Sequence, residues 1–428
     1  MMASFPAAED RETPAGGASA MHLPGIRHPR SNARVRLFNV RFSPNLGDGL
    51  LAECLERALV ECGAGQDTWS VDLAARTGYA PGSTSRPAQL RLLDALPPPL
   101  RRLSVRLPLA LRSRLTWRPH YRRALEGADC AVIGGGNLLA DLDLNFPTKI
   151  AIAVDEAARR GIPAFIYACG VDGTWSRPAR CLLDRALRKG TIRRVFVRDE
   201  RSRQAWNELA GTACDLEATL VRDPGLLAAV RYGIVHQSRP GEAPVIGINV
   251  TCPIALRYHA GPDAVPESLD SWYLSLACAL AGRGTQVVLF TNGSPEDRAY
   301  LRWLHPTFAA LAGRVTFPDP RTPEELVHVI AGLDGLAAFR MHAVIAAYSC
   351  GVPFMALAWD PKLEAFVKSV DRAGWLCHPA TTPPDRAAVR LLAAMREGIP
   401  DDERERVIRQ ARRGVAMLQD EIARSLHR

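Results

Sequence analysis

The chain has 428 residues, 47% of them hydrophobic, and a formal net charge of +9. This length and composition allow two domains with sizeable cores. No apolar run reaches the roughly 18 residues of a transmembrane helix, and no basic-then-apolar leader opens the sequence, so we expect a cytoplasmic protein. The ten cysteines are scattered, without CxxC pairs or zinc-ligand spacing, which favours free thiols over disulfides or a metal site.

The predicted elements begin after a tail. Residues 1–33 are rich in Ala, Gly, Pro and Ser without periodicity, which is typical of disorder. Predicted strands and helices then alternate through residues 34–235, an order that favours a largely parallel sheet. A polar stretch with Gly and Pro follows, and a second alternating series covers 244–383. Residues 384–428 have the pattern of one or two amphipathic helices, which we expect to pack back across the domains.

Two Rossmann-like domains with the active site in the cleft between them are the general design of the GT-B fold. The pattern predicts this α/β arrangement, and a single large doubly wound sheet is the alternative. In both cases ligands bind outside the carboxyl ends of the parallel strands. Polar residues that directly follow predicted strands are therefore the candidate site residues.

An arginine-rich insertion interrupts the first series at residues 74–123. Its segment 96–123 carries eight arginines, five prolines and no acidic residue. One interpretation is a peripheral contact with anionic lipid, or with a phosphorylated carrier, at the inner face of the membrane. The interpretation that we favour is that these arginines face solvent or pair with acids elsewhere. Few aromatic residues beyond Trp117 and Tyr121 accompany the charge, so we expect no nucleic-acid partner.

The first candidate motif follows the strand predicted over residues 35–40. It is Asn45-Leu46-Gly47-Asp48, in which a glycine lets the backbone approach a ligand. The helix predicted over residues 50–62 then offers its N-terminus to an anion. Asp48 also has a side chain suited to capping this helix, so a simple helix cap is the structural alternative.

Two further motifs follow later strands of the same series. The run Gly134-Gly135-Gly136-Asn137 exposes backbone N–H groups where a ligand must come close, or it is a tight strand-to-helix turn. It is not a GxGxxG dinucleotide fingerprint. Arg198 begins the second motif and can point into the cleft, whereas Asp199 and Ser202 behind it can cap the next helix.

The strongest candidates lie in a strand–helix–strand unit, residues 336–366. Arg340 and His342 follow its first strand and Lys362 follows its second, so the three side chains can converge on one rim. The planar guanidinium matches phosphate or carboxylate, and histidine exchanges a proton near neutral pH. The unit predicts an anion site with proton transfer nearby, although a single histidine after an apolar run is more often structural.

Taken in order, these motifs resemble those of the polysaccharide pyruvyl transferase family over residues 35–370. The resembling segments are Asn45-Leu46-Gly47-Asp48, Val132-Ile133-Gly134-Gly135-Gly136, Val197-Arg198-Asp199-Glu200, Asp223-Pro224, Phe339-Arg340-Met341-His342, Gly351-Val352-Pro353 and Asp360-Pro361-Lys362. The family usually has Ser at the position of Phe339 and often Tyr at that of Trp359. Neither difference removes a proposed charged group.

The resemblance implies transfer of a pyruvyl group from phosphoenolpyruvate to a sugar of a polysaccharide or its precursor, as a cyclic ketal. It also implies a GT-B-like fold, no metal and no organic cofactor. The expected partners are phosphoenolpyruvate, on the C-terminal domain, and a free or lipid-linked glycan, on the N-terminal domain. His342 and Asp48 are the expected catalytic residues. The expected substrate-binding residues are Arg340, Lys362, Asn45, Gly47, Gly135, Gly136, Asn137 and Arg198.

Two other functions stay open from the sequence. A GT-B glycosyltransferase that uses a nucleotide sugar explains two domains, but gives less reason for an Arg-x-His pair matched with a lysine. A non-catalytic glycan- or anion-binding relative is the second. The presence of Arg340, His342 and Lys362 together argues against it.

Overall fold

The computed structural model describes residues 31–79, 108–141, 143–210, 214–235, 241–254, 256 and 268–427. The tail predicted at 1–33 lies almost entirely outside these residues, as does the part of the arginine-rich insertion at 80–107. The described chain forms two α/β domains, each built on a six-stranded parallel sheet.

The N-terminal sheet has the strand order β2-β1-β3-β4-β5-β6. Its strands are β1 (Val35–Asn39), β2 (Trp69–Asp72), β3 (Cys130–Gly134), β4 (Ala164–Cys169), β5 (Ile192–Val197) and β6 (Ala218–Leu220). The helices are α1 (Leu46–Glu61), α2 (Arg118–Ala124), α3 (Asn145–Arg159), α4 (Arg177–Leu187), α5 (Glu200–Ala210) and α6 (Ala228–Arg231). Strand order reverses at β1, so a ligand crevice is expected outside the ends of β1 and β3.

The C-terminal sheet has the order β12-β11-β10-β7-β8-β9 and reverses at β7. Its strands are β7 (Val245–Asn249), β8 (Gln286–Phe290), β9 (Val315–Thr316), β10 (Gly335–Ala338), β11 (Phe354–Leu357) and β12 (Leu376–Cys377). The helices are α7 (Leu269–Ala281), α8 (Pro295–Leu304), α9 (Pro323–Ala331), α10 (Met341–Cys350), α11 (Pro361–Ser369), α12 (Pro384–Glu397) and α13 (Asp401–Leu426).

The two separate sheets confirm the predicted fold class, two Rossmann-like domains arranged as in the GT-B fold. They rule out the single doubly wound sheet. The central strands β3, β4 and β10 are buried at every position. Parallel strands that are covered by helices on both faces need such continuous apolar sequence.

The start of α1 differs from the prediction. The helix begins at Leu46 because Asn45 is its N-cap: its backbone is extended and its Oδ1 accepts the N–H of Gly47 at 3.3 Å. Asp48 therefore lies inside the first turn and is not the cap, which leaves its carboxylate at the positive end of the helix.

The described end of the arginine-rich insertion is helical. Trp117 and Tyr121 are buried on its inner face. Arg118 and Arg122 pair with Glu156 of α3 at 3.0 and 3.3 Å. These two arginines show the pairing with acids that the second interpretation expects. In the described part of the chain, no helix combines the length and apolar character needed to cross a membrane.

Apolar packing joins the two domains beneath the cleft. Leu50 of α1, Leu226, Ile345 of α10 and Val415 of α13 belong to one buried cluster. Helix α13 starts in the C-terminal domain and lies against the N-terminal one, where Arg222 Nε donates to Gln410 Oε1 at 3.0 Å. The tips of the two sheets are thereby held opposite each other.

Candidate active site

A cavity of about 180 Å³ lies between the carboxyl ends of the two sheets. Its wall comes from segments that follow β1, β3, β5, β8, β10 and β11. The wall residues are Asn45, Asp48, Asn137, Arg198, Asn292, Arg340, Met341, His342, Trp359, Asp360, Lys362 and Leu363. The structure thus brings seven of the ten predicted site residues to one cavity and leaves Gly47, Gly135 and Gly136 outside its wall.

His342 lies in the first turn of α10 and is buried. Its Nδ1 is 3.8 Å from Oδ1 of Asp48 in the other domain. Its Nε2 has no hydrogen-bond partner within the described residues. Burial lowers the pKa of His342 to about 4; Asp48 opposes this change, whereas the charges of Arg198 and Arg340 add to it. The imidazole is therefore neutral at pH 7.

Gly47 contributes to the site through His342. A Cβ atom at position 47 would lie 2.7 Å from Cβ and 2.8 Å from Nδ1 of His342. Real Cβ atoms are almost never so close to another atom, so α1 can approach the histidine only with glycine here. The structure places Gly47 against His342, and its contact with substrate stays a prediction.

Arg340 is held by a buried carboxylate that the sequence analysis missed. Its Nε donates to Oδ2 of Asp297 at 3.1 Å, and its Nη2 also donates to that oxygen. Asp297 is fully buried in α8 and accepts the N–H of Cys252 at 2.8 Å through its other oxygen. This pair fixes the guanidinium at the cavity wall and compensates part of its charge.

Lys362 crosses the cleft to the N-terminal domain. Its Nζ donates to Oδ1 of Asp172 at 2.7 Å, and Asn137 Nδ2 lies 3.4 Å from both oxygens of that carboxylate. The side chains of Lys362 and Asp172 are 20% and 34% exposed, whereas the carboxylate that pairs with Arg340 is 0% exposed. A partly exposed ion pair has modest net strength, so an anionic ligand can take the place of Asp172.

Arg198 adds a third cation to the wall. Its Nη1 is 3.4 Å from Oδ2 of Asp223, and both side chains are buried. Burial raises the pKa of Asp223, against the lowering effect of Arg198. A Cβ at Gly170 would lie 2.5 Å from Asn137 Oδ1 and 2.9 Å from Arg198 Nη2, so this glycine makes room for both. Asp199 caps α5, as the sequence pattern predicts for this residue.

Gly135 and Gly136 form the turn after β3. Their φ values are +82° and +79°, a left-handed conformation that favours glycine. The carbonyl of Gly136 accepts the N–H of Gly170 at 2.9 Å, and the nearest side chain to either Cβ position is Leu51. The tight turn, the alternative at this motif, describes their backbone, and their contact with substrate stays a prediction.

Asn292 is a wall residue that the sequence analysis did not select. It is buried after β8, its Oδ1 accepts from Asn249 at 2.9 Å, and its carbonyl accepts the N–H of Leu46 from the other domain at 2.7 Å. Its Nδ2 and the Oδ1 of Asn137 have no partner within the described residues. Buried amide atoms without partners are rare. These two atoms are therefore candidates for hydrogen bonds to a ligand. Its position directly after a strand is the signal that could have identified it.

The fold and this cleft define a two-domain α/β protein of the GT-B type whose site is lined by cations and one neutral histidine. A family model, polysaccharide pyruvyl transferase, matches residues 45–361. The match spans well over half of the chain, and the protein belongs to this family of transferases. A comparison with curated proteins finds no match.

Solved structures with a similar fold include nucleotide-sugar enzymes. S. aureus MnaA, in a co-structure with UDP, is 10% identical, with a TM-score of 0.46 and coverage of 88% of this chain and 90% of that one. UDP-GlcNAc 2-epimerase from Neisseria meningitidis, bound to UDP-GlcNAc, is 11% identical, with a TM-score of 0.48 and coverage of 91% and 99%. E. coli ADP-heptose LPS heptosyltransferase II is 14% identical, with a TM-score of 0.42 and coverage of 85% and 99%.

Proposed function

We propose that the protein transfers the enolpyruvyl-derived group of phosphoenolpyruvate to two hydroxyls of a sugar, forming a pyruvate ketal and releasing phosphate. The observation that carries this proposal is the convergence of Arg198, Arg340 and Lys362 with His342 and Asp48 around one small cavity. The donor carries a phosphate and a carboxylate, and three cations on one wall suit two anionic groups. We expect neither a metal nor an organic cofactor to take part.

Arg340 and Lys362 are the proposed ligands of the two anionic groups. Arg340 is already oriented by Asp297, so its guanidinium loses little freedom when a ligand binds. Lys362 exchanges its contact with Asp172 for a contact with the donor. Arg198, whose Nε lacks a hydrogen bond within the described residues, supplies further positive charge.

The reaction balances with one proton donor and one proton acceptor. A proton added to the methylene carbon of phosphoenolpyruvate creates an oxocarbenium-like centre at the adjacent carbon. One sugar hydroxyl forms a C–O bond to that centre and releases its proton, which replaces the proton delivered to the methylene group. The second hydroxyl forms another C–O bond, the C–O bond to phosphate breaks, and the second hydroxyl proton leaves with phosphate.

His342 is the proposed acid–base group. In the free protein it is neutral, ready to accept a proton from a hydroxyl. The bound donor places negative charge beside Arg198 and Arg340, which offsets their effect and raises the pKa of His342. The protonated ring can then supply the methylene proton. Asp48, at 3.8 Å from Nδ1, orients the acceptor hydroxyl or takes its proton.

Isothermal titration with phosphoenolpyruvate tests the donor site. We expect saturable binding to the wild-type protein, weakened about 10–100-fold by Lys362→Met, because a hydrogen bond to a charged group contributes about 1.5–3 kcal/mol. Lys189→Met is the matched control: Lys189 pairs with Asp155, neither residue lines the cavity, and the substitution should not change binding. Acceptors are then screened by proton NMR for the ketal methyl group.

Two results would contradict the proposal. Binding of a nucleotide sugar without any binding of phosphoenolpyruvate would indicate a glycosyltransferase. Equal affinity of wild type and Lys362→Met for phosphoenolpyruvate would show that the donor binds outside this cavity.

Gly47→Ala should impair catalysis more than folding. The new methyl group must displace His342, and this overpacking costs about 1–3 kcal/mol. Alanine returns part of that cost because it favours helix over glycine by about 1 kcal/mol. We expect at least a tenfold lower rate of ketal formation, about 1.4 kcal/mol in the barrier. Gly374→Ala, at a site where a Cβ meets nothing within 4 Å, is the control. An unchanged rate in Gly47→Ala would show that the ring position is not critical.

A further inference from the structure

A second and larger cavity opens beside the candidate active site. It has a volume of about 780 Å³ and shares Arg198, Met341 and Lys362 with the wall of the first. It runs between the carboxyl ends of β5 and β6 on one side and helices α11 and α13 on the other. The smaller cavity suits a three-carbon phosphate, whereas this volume lies within the range of sites that bind larger ligands.

Three arginines on its wall have no carboxylate partner among the described residues. Arg201 and Arg413 are exposed and make no ion pair with a described residue. Arg222 donates from Nε to Gln410 Oε1 at 3.0 Å and from Nη1 to the carbonyl of Ser369 at 2.9 Å, both uncharged acceptors. Burial lowers the pKa of Arg222, and the effects of Tyr348 and Asp371 oppose this only in part. The wall therefore carries positive charge that no ion pair among the described residues compensates.

The acidic residues of the same wall are already engaged. Asp199 caps α5 and lies 3.6 Å from Arg198, and Asp223 lies 3.4 Å from the same arginine. Glu200 pairs with Arg203 at 2.7 Å. These contacts hold the carboxylates on the side of α5 and β6, so they do not compensate the three unpaired guanidinium groups.

Apolar side chains form the rest of this surface. Leu220 and Met417 are 48% and 39% exposed, and Phe366 lies on the opposite wall. Helix α13 approaches closely because residue 414 is glycine: a Cβ there would lie 3.2 Å from Cβ of Val221. The close packing brings the C-terminal helix to the cavity, a position for which no motif in this helix is a signal.

We infer that this second cavity binds the acceptor glycan, and that Arg201, Arg222 and Arg413 bind an anionic group on it. The anionic group is a phosphate or a carboxylate on the unit next to the sugar that receives the pyruvyl group. The apolar C–H face of a sugar ring packs on Leu220 and Met417. This inference rests on the proposed function, because it places the acceptor beside the donor in one continuous cleft.

Equilibrium titrations of the full-length protein test the inference. The probes are a hexose 1-phosphate, a hexuronate and the neutral methyl hexoside of the same configuration, each added without phosphoenolpyruvate so that no turnover occurs. We expect a charged probe to bind at least about tenfold tighter than the neutral one. Tighter binding of the hexose 1-phosphate than of the hexuronate identifies the anionic group as a phosphate. The reverse order identifies it as a carboxylate.

Arg201→Gln/Arg413→Gln locates the binding. Both side chains are exposed and lie outside the wall of the smaller cavity, so we expect a folded protein with unchanged affinity for phosphoenolpyruvate and no preference for charged probes. Arg424→Gln, on the same helix and paired with Glu421, is the control and should keep the preference.

Three results overturn the inference: equal affinity for all probes, no binding of any probe, or a preference that survives the double substitution, which would place the anion in the donor cavity. Each of these results is compatible with phosphoenolpyruvate as the donor, provided that phosphoenolpyruvate binds. Failure of phosphoenolpyruvate to bind the wild-type protein refutes the proposed function instead.

Discussion

Replacing His342 with glutamine is expected to lower kcat for ketal formation by about 10²–10⁴-fold, the usual contribution of a general acid–base group. Glutamine keeps a polar side chain of similar size but cannot exchange a proton. Affinity for phosphoenolpyruvate should change far less, because Arg340 and Lys362 remain. Single-turnover rates and equilibrium titration on one preparation separate the two effects. His328→Gln, on the exposed face of α9, is the matched control and should retain full activity.

The same substitution should remove a pH dependence of stability. The pKa of His342 is about 4 in the folded protein and 6.5 in its ordinary state, so between these values the unfolded chain binds more protons. The free energy of unfolding of the wild type therefore falls as pH decreases through this window. Since one pKa unit corresponds to about 1.4 kcal/mol, the loss from this group approaches about 3 kcal/mol below pH 4.

Urea unfolding at several pH values measures this loss. As the pH falls from 6.5 towards 4, the free energy of unfolding should decrease more for the wild type than for His342→Gln. Each decrease is measured from the value of the same protein at pH 7.5. Parallel curves for the two proteins over this range would show that His342 is not held neutral by burial. A kcat of His342→Gln equal to that of the wild type would show that His342 takes no part in proton transfer.

The sequence could predict those site residues that directly follow strands. Arg340, His342 and Lys362 follow β10 and β11, and parallel strands end on one edge of a sheet, so their convergence needs only the strand assignment. Arg198 follows the same rule in the other domain. Which cation meets which carboxylate depends on contacts between distant parts of the chain, within one domain or across the cleft, and no local pattern records these contacts.

The missed residues show this limit. Asp297 stands in Ser-Pro-Glu-Asp at the start of α8, where an acid is explained by the helix terminus alone. Its contact with Arg340 spans 43 positions of the chain. Asp172 lies in a loop after β4 and meets Lys362 only across the cleft. The glycines at 135 and 136 were ambiguous because a tight turn and a ligand-binding loop need the same residue.

Replacing Asp297 with asparagine is expected to destabilise the protein by about 3–5 kcal/mol, the usual effect of removing one partner from a buried ion pair. Asparagine preserves the shape and can still accept the N–H of Cys252, so the change isolates the negative charge. The guanidinium of Arg340 then lacks its buried counter-ion. Urea unfolding followed by tryptophan fluorescence measures the loss.

Phosphoenolpyruvate should partly reverse this effect, because its anionic groups replace the missing charge beside Arg340. The rise in melting temperature on adding phosphoenolpyruvate should therefore be larger for Asp297→Asn than for the wild type. The double variant Asp297→Asn/Arg340→Gln should regain most of the lost stability without regaining affinity, since no buried charge is then left unpaired. A single variant within about 1 kcal/mol of the wild type would contradict the importance of this pair. An equal ligand-induced shift in both proteins would instead place the anions of the donor away from Arg340.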